Sequence, residues 1–190
     1  MHKCMIFKQL LLSNVWRVTN RHEKKYVFKV LCRSIFFLMM LLDGQLTRLL
    51  ERWTQDNYIA SAHLLLIAFL CGSRYLPKNY LIITALIIGC LYDLYYIGII
   101  GIYAVAFPMI VWIMYILNKT LYQNIFTMFF GMIIFVTGLE MVTLGIQLLF
   151  KIATVNTSFF VSRFLAPTLL LNIILFVILV IPFMKLFKEE

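Results

Sequence analysis

The chain has 190 residues, of which 63% are hydrophobic and 13% charged, and its formal net charge is +9. Its mean hydropathy of +0.95 excludes a water-exposed globular fold, because such a fold could not hide that much apolar surface. About five to seven spanning helices of about 20 residues fit into this length. We therefore predict one all-α integral membrane unit without a separate soluble domain.

The N-terminal stretch is strongly basic. The first 33 residues carry eight Lys and Arg side chains against one acid, Glu23. We predict a basic cytoplasmic arm over residues 1–30 that binds anionic lipid headgroups. Between Ile6 and Val18 apolar residues recur at helical spacing, which fits an interfacial helix. A solvated tail, or a start assigned too far upstream, fits the same pattern.

Charge and turn signals divide residues 31–190 into six predicted transmembrane helices. Their predicted bounds are 31–50, 57–73, 79–97, 99–118, 123–150 and 164–186. With the arm inside, thirteen basic residues lie on the cytoplasmic side and four outside, namely Arg48, Arg52, Lys151 and Arg163. The positive-inside rule therefore predicts six spans with both termini cytoplasmic. A five-span alternative, with the third and fourth helices merged, fits the charges less well.

The third helix carries an acid at membrane depth, which is costly and by default marks a working position. Asp93 lies four residues after Gly89 and eight after Ala85, so the three share one helix face. The small residues let a neighbouring backbone approach the carboxylate. Tyr92, Tyr95 and Tyr96 favour a position of Asp93 near the outer leaflet.

The fifth helix has two distinct faces. Glu140 belongs to a polar stripe, and glycines recur every seven residues on the opposite side, at Gly131, Gly138 and Gly145. Such a helix is expected to have protein or a cavity on both faces. We therefore predict that the fifth helix is central.

Three further polar residues stand in apolar surroundings. Asp43 ends the apolar run of the first helix, where it could lie at the outer surface, Asn172 follows Pro167 by five residues, and His63 stands alone in the second helix. For His63 and Asn172 we expect ordinary hydrogen bonds between helices. The acids would also fit a proton or cation path, although no basic partner is evident in the core. The candidates for partner binding or a cavity are Asp93, Gly89, Glu140, Asn172 and Asp43.

Motifs of catalysis are missing from the sequence. It contains no H-E-x-x-H, no G-x-S-x-G and no glycine-rich phosphate loop. The four cysteines form no C-x-x-C pair. The sequence therefore indicates no enzyme, no cofactor and no metal site, although residues from distant helices could still converge.

The order of these features resembles the bacterial rod shape-determining family MreD. The resemblance is carried by five blocks between about residues 35 and 186: Leu41-Leu42-Asp43, Ser61-Ala62-His63, Ile88-Gly89-Cys90-Leu91-Tyr92-Asp93 followed by Gly98-Ile99-Ile100-Gly101, Leu139-Glu140-Met141, and Leu165-Ala166-Pro167-Thr168-Leu169-Leu170-Leu171-Asn172. The long basic arm exceeds what the family pattern needs.

The resemblance implies a non-catalytic scaffold of the elongation machinery. Its implied partners are the transmembrane helix of MreC, the elongation transpeptidase and glycosyltransferase, and indirectly the actin-like MreB. It also implies a fold similar to the substrate-binding subunits of energy-coupling-factor transporters. The alternative is such a substrate-capture subunit for a vitamin or metal. Those subunits resemble one another in a pair of small residues on the first helix, and the run from Ser34 to Leu42 has no such pair.

Because acids are costly at membrane depth, we expect Asp93 and Glu140 to serve partner binding more than folding. The substitutions Asp93→Asn and Glu140→Gln should therefore weaken partner binding while leaving folding near normal.

The charge asymmetry predicts a labelling pattern in whole cells. In a variant without the four native cysteines, a cysteine at Asn156 should react with an impermeant thiol reagent, because that segment is predicted outside. A cysteine at Lys119 should stay unlabelled. Equal labelling at both positions, or the reverse pattern, would contradict the six-span topology.

Overall fold

The computed structural model describes residues 30–50, 52–53, 60–118, 124–151 and 160–187. The chain divides into two compact units, Met1–Ile35 and Phe36–Glu190. Of the first unit, residues 30–35 are described, and they begin a helix. The predicted basic arm and its interfacial helix lie outside the described residues.

Six helices of nine or more residues follow one another in the described part of the chain, and four of them are long and apolar enough to cross a membrane: Val30–Leu50, Lys78–Ile97, Ile125–Leu149 and Val161–Leu186. The protein is therefore a multi-pass membrane protein, as its composition predicts. The helices are α1 (Val30–Leu50), α2 (Leu64–Gly72), α3 (Lys78–Tyr92, continued by a π-helical turn over Asp93–Ile97), α4 (Ile102–Ile116), α5 (Ile125–Leu149) and α6 (Ala166–Phe187, preceded by a π-helical turn over Val161–Leu165).

The second helix differs most from its prediction. A helix over 57–73 is wrong in its first part, because residues 60–63 are not helical and α2 begins only at Leu64. Residues 54–59 lie outside the described residues. Four non-helical residues reach at most about 13 Å and nine helical ones about 13.5 Å, so together they approach the hydrocarbon thickness of about 30 Å. Residues 60–72, which lie in the described part of the predicted second transmembrane helix, are here called the broken span.

The broken span lies in the centre of the bundle. All nine residues of α2 are buried, and the helix packs against α4, α5 and α6. The Phe69 ring lies 4.9 Å from the Phe36 ring of α1 and 5.9 Å from the Phe107 ring of α4, measured between centroids. Irregular backbone at membrane depth is tolerated only where protein surrounds it, and this packing supplies the enclosure. The fifth predicted helix, α5, also contacts α2, α4 and α6, but the enclosed helix is α2.

The helices α3 and α4 form a close antiparallel pair. Their link contains Gly98 at φ +75° and Gly101 at φ +126°, backbone conformations that glycine adopts without strain. At Gly89 a Cβ atom would stand 2.5 Å from the Tyr103 carbonyl oxygen and 2.8 Å from the Ala104 Cα. The prediction that Gly89 admits a neighbouring backbone is confirmed, and that neighbour is the start of α4.

The glycine face of α5 is used only in part. A Cβ at Gly138 would lie 3.5 Å from the Ile110 Cδ1 of α4, whereas one at Gly145 would have no heavy atom within 4 Å. The two helices are therefore in contact at the middle of α5 and separate toward its C-terminal end. On the opposite side Glu140 and Thr143 are buried, so the polar stripe faces the protein interior.

Aromatic side chains and long cations meet at the two ends of α3. The Lys78 Nζ lies 5.8 Å from the centroid of the Trp112 ring, and the Arg48 guanidinium lies 5.6 Å from that of the Tyr96 ring. Such pairs of rings and cations are typical of the two membrane interfaces. Which interface is cytoplasmic stays a prediction.

Crowding at Gly89 predicts an asymmetric response to added methyl groups. Gly89→Ala should lower the free energy of unfolding by about 1–3 kcal/mol, because its Cβ would collide with backbone that cannot rotate away. Gly138→Ala is the matched control, since it adds the same group in a helix interior at ordinary contact distance and gains up to about 1 kcal/mol of helix propensity. Thermal unfolding in detergent measures both. Equal stability of the two variants would contradict the close crossing.

Candidate functional site

The non-helical residues before α2 and the first residues of α2 present backbone N–H groups that the helix itself cannot bond. An unpaired N–H in hydrocarbon costs several kcal/mol, so each needs a partner inside the protein. Five successive N–H groups find one in a side chain from another part of the chain: Ser61 N donates to Thr168 Oγ1 (3.1 Å), Ala62 N to Thr47 Oγ1 (3.1 Å), His63 N to Asn172 Oδ1 (2.8 Å), Leu64 N to Asp43 Oδ1 (2.5 Å) and Leu65 N to Asp43 Oδ2 (3.0 Å). We call residues 61–65 the bridged segment.

Asp43 caps α2 from a neighbouring helix. The residue that precedes α2, His63, makes no side-chain cap of its own. The two carboxylate oxygens of Asp43 instead accept the N–H groups of Leu64 and Leu65. A carboxylate at this position also meets the positive end of the helix dipole. The Asp43 side chain is buried within the protein and serves the start of the central helix; its depth relative to the outer membrane surface stays a prediction.

Asn172 joins α6 to the same segment. Its Oδ1 accepts the His63 N–H, and its Nδ2 donates to the carbonyl oxygens of Ser61 (2.9 Å) and Thr168 (2.8 Å). Asn172 is expected to bond between helices, but its partners are the non-helical residues Ser61 and His63 and Thr168 of its own helix. The non-helical backbone explains why an amide is suited to the position: it can donate and accept at once.

His63 and Glu140 form a buried pair. The His63 Nε2 and Glu140 Oε1 atoms are 2.6 Å apart, and each side chain is 4% exposed. The interpretation that the core acids lack a basic partner is therefore wrong for Glu140. The pair ties α5 to the bridged segment, and removal of either partner would leave the other without its bond in a low-dielectric interior.

Asp93 repeats the capping arrangement at α4. Its carboxylate accepts the N–H groups of Gly101 (2.8 Å), Tyr103 (2.9 Å) and Ala104 (3.0 Å), and the residue is fully buried. Gly89, one turn earlier in α3, provides the space that brings the start of α4 within reach. The position of Asp93 relative to the outer leaflet stays a prediction.

The five predicted site residues thus fall into two groups in the interior. Asp43, Asn172 and Glu140 converge on the bridged segment, whereas Asp93 and Gly89 serve the start of α4. Throughout the described part of the chain, every buried side-chain nitrogen and oxygen has a hydrogen-bond partner. Within the same residues no cluster of three or more His, Cys, Asp or Glu side chains could hold a metal ion.

Two residues that bond the bridged segment were not predicted from the sequence. Thr47 and Thr168 look like isolated hydroxyls in apolar helices, yet each accepts a backbone N–H of the bridged segment. A signal exists in retrospect, since Thr168 lies four residues before Asn172 and so on the same face of α6. The break in the second helix has no such signal, because neither Gly nor Pro occurs at residues 60–63.

These features define a class: a small multi-pass helical membrane protein whose interior polar groups serve helix starts and a broken central span. The sequence model of the family described as rod shape-determining protein MreD matches residues 24–189. The chain belongs to this family, which confirms the resemblance and assigns the protein to cell-shape determination.

Two relatives show the same relationship at modest identity. The rod shape-determining protein MreD of Bacillus subtilis is 30% identical over 158 residues, which cover 80% of this chain and 91% of the relative. The cell shape-determining protein MreD of Streptococcus pneumoniae is 25% identical over 142 residues, or 73% of this chain and 86% of the relative. No solved structure matches the chain.

The structure predicts different losses of stability for two substitutions for which the sequence alone predicts the same effect. Asp93→Asn should lower the free energy of unfolding by about 1–3 kcal/mol, because an amide has one acceptor oxygen where the carboxylate serves three N–H groups. Glu140→Gln should cost less, since the glutamine amide can still bond His63 Nε2. Thermal unfolding of both variants in detergent is the measurement. A stable Asp93→Asn protein that loses only partner binding would restore the sequence-based expectation and overturn this one.

Proposed function

We propose that the protein is a non-catalytic membrane scaffold of the cell-elongation machinery, which binds MreC and helps to position peptidoglycan synthesis. The observation that carries this proposal is the family match over residues 24–189, together with two relatives described by cell shape. The transmembrane helix of MreC is the direct partner. The elongation transpeptidase and glycosyltransferase are further partners, and MreB is an indirect one.

The distribution of polar groups supports a binding role. In the described residues the buried polar side chains are engaged with one another and with backbone, while the helices turn apolar faces outward. On α5 this face includes Phe126, Phe130 and Ile134, and on α6 it includes Leu170, Ile174 and Ile178. A partner helix in the bilayer would pack against such faces through van der Waals contact.

Asp43, Gly89, Asp93, Glu140 and Asn172 then act on partner binding indirectly. Their side chains or Cα atoms lie inside the bundle, where they fix the starts of α2 and α4 and the position of the bridged segment. Because the outward faces are carried by the same helices, a change at an internal cap shifts the surface that a partner recognises.

The proposal includes an orientation. Both termini lie in the cytoplasm, where the basic arm contacts anionic headgroups. A fold similar to that of energy-coupling-factor substrate-binding subunits, which the family resemblance implies, is also part of the proposal.

Bulky substitutions on the outward faces test the scaffold role. MreC should co-purify with the wild-type chain, and Ile134→Trp on α5 or Ile178→Trp on α6 should reduce its recovery, because the added ring prevents close helix packing. Each variant should keep its membrane level and its thermal unfolding, since both positions are exposed in the structure. The variant that recovers less MreC should also fail to restore normal shape to cells depleted of the wild-type protein.

Two results would contradict the proposal. One is that MreC does not co-purify with the wild-type chain from solubilised membranes. The other is normal cell shape on depletion together with poor growth on a limiting vitamin, which would favour the substrate-capture alternative.

A further inference from the structure

An apolar groove of about 580 Å³ opens between the start of α4 and the end of α5. Its lining comes from the α3–α4 link, from α4 and from α5: Ile99, Ile100, Gly101, Ile102, Val105, Ile146 and Phe150. None of these residues has a polar side chain. The groove lies where α5 separates from α4, beyond the contact between Gly138 and Ile110, and Gly145 beside it leaves the space open.

The groove must be filled by something apolar when the protein is in a bilayer. An empty space of this size would forfeit the dispersion contacts of its lining, and its walls offer no partner to water. Several of the walls are also reachable from the lipid, since Val105 is 55% and Phe150 74% exposed.

The dimensions favour an acyl chain over a helix. Among the described residues the helical lining extends from Ile102 to Val105 on α4 and from Ile146 to Phe150 on α5, which corresponds to about 4.5 Å and about 6 Å along the two axes. A transmembrane partner helix would pack over several turns of about 5.4 Å each. Over the described residues the groove therefore matches a segment of an acyl chain better than a partner helix.

A cation stands next to the groove. Lys151 follows the lining residue Phe150, is exposed, and lies in the turn after α5 in the left-handed conformation at φ 55°. Its backbone N–H donates to the Leu148 carbonyl (3.1 Å), so the turn that places it is hydrogen-bonded. With α5 spanning the hydrocarbon, Lys151 comes to headgroup level, where a basic side chain attracts anionic lipid.

We infer that this groove holds a segment of one acyl chain of an anionic phospholipid whose phosphate binds Lys151. The inference is independent of MreC binding, because it concerns lipid retained by the isolated chain.

Native mass spectrometry of the full chain tests the site. The chain is reconstituted into vesicles of equal parts phosphatidylglycerol and phosphatidylcholine and then extracted in mild detergent. The wild type should retain one phosphatidylglycerol in preference to phosphatidylcholine. Lys151→Asn, a substitution that tolerates a positive φ, should lower that preference about fivefold. Val105→Trp, which fills the groove, should abolish retention of the lipid.

Matched variants separate the site from general effects. Lys185→Gln removes an exposed cation elsewhere, and Ile134→Trp adds the same ring to another exposed face, so both should retain lipid as the wild type does. If Val105→Trp unfolds, Val105→Phe provides a smaller filling group, and retained lipid with either folded variant overturns the inference. Equal retention of the two phospholipids by the wild type also overturns it. So does a photocrosslinker at residue 105 that captures a protein rather than a lipid in cell membranes.

Discussion

The structure depends on one constraint: a backbone N–H at membrane depth must find an acceptor within the protein. A continuous helix meets this constraint by itself, but the broken span, residues 60–72, is not a continuous helix. Its non-helical residues 60–63 and the first turn of α2 expose donors that the helix cannot satisfy. The side chains of α1 and α6 supply the acceptors, and the position of these helices is thereby fixed relative to α2.

The same constraint explains why acidic side chains are buried at the starts of α2 and α4. A carboxylate is expensive in the bilayer, yet at a helix start it meets several N–H groups and the positive end of a dipole. Asp43 serves α2 and Asp93 serves α4 in this way. Glu140 differs because its partner is a side chain, His63. Asp43 and Glu140 thus both bond residues of the bridged segment, whereas Asp93 serves the start of α4.

The sequence predicts the large features well because they follow from hydropathy. Six helices, a membrane location and the close approach at Gly89 come from run length, charge and small-residue spacing, and the structure has all of them within its described residues. The choice of Asp43, Asp93, Glu140 and Asn172 as special positions follows from the cost of burying polar groups. Their partners could not be predicted, since His63 and Glu140 are separated by 77 residues and no local pattern encodes their meeting. The break at residues 60–63 escaped prediction because its stability comes from tertiary hydrogen bonds and not from local propensity.

Amide hydrogen exchange at the bridged segment tests the central claim most directly. The account predicts that the N–H groups of residues 61–65 exchange as slowly as those inside α2, although 60–63 are not helical. In Asp43→Ala, exchange should accelerate at Leu64 and Leu65, and in Thr168→Val at Ser61, while amides in the middle of α6 keep their protection as an internal reference. Fast exchange of the segment in the wild type, or unchanged protection in both variants, would contradict the account.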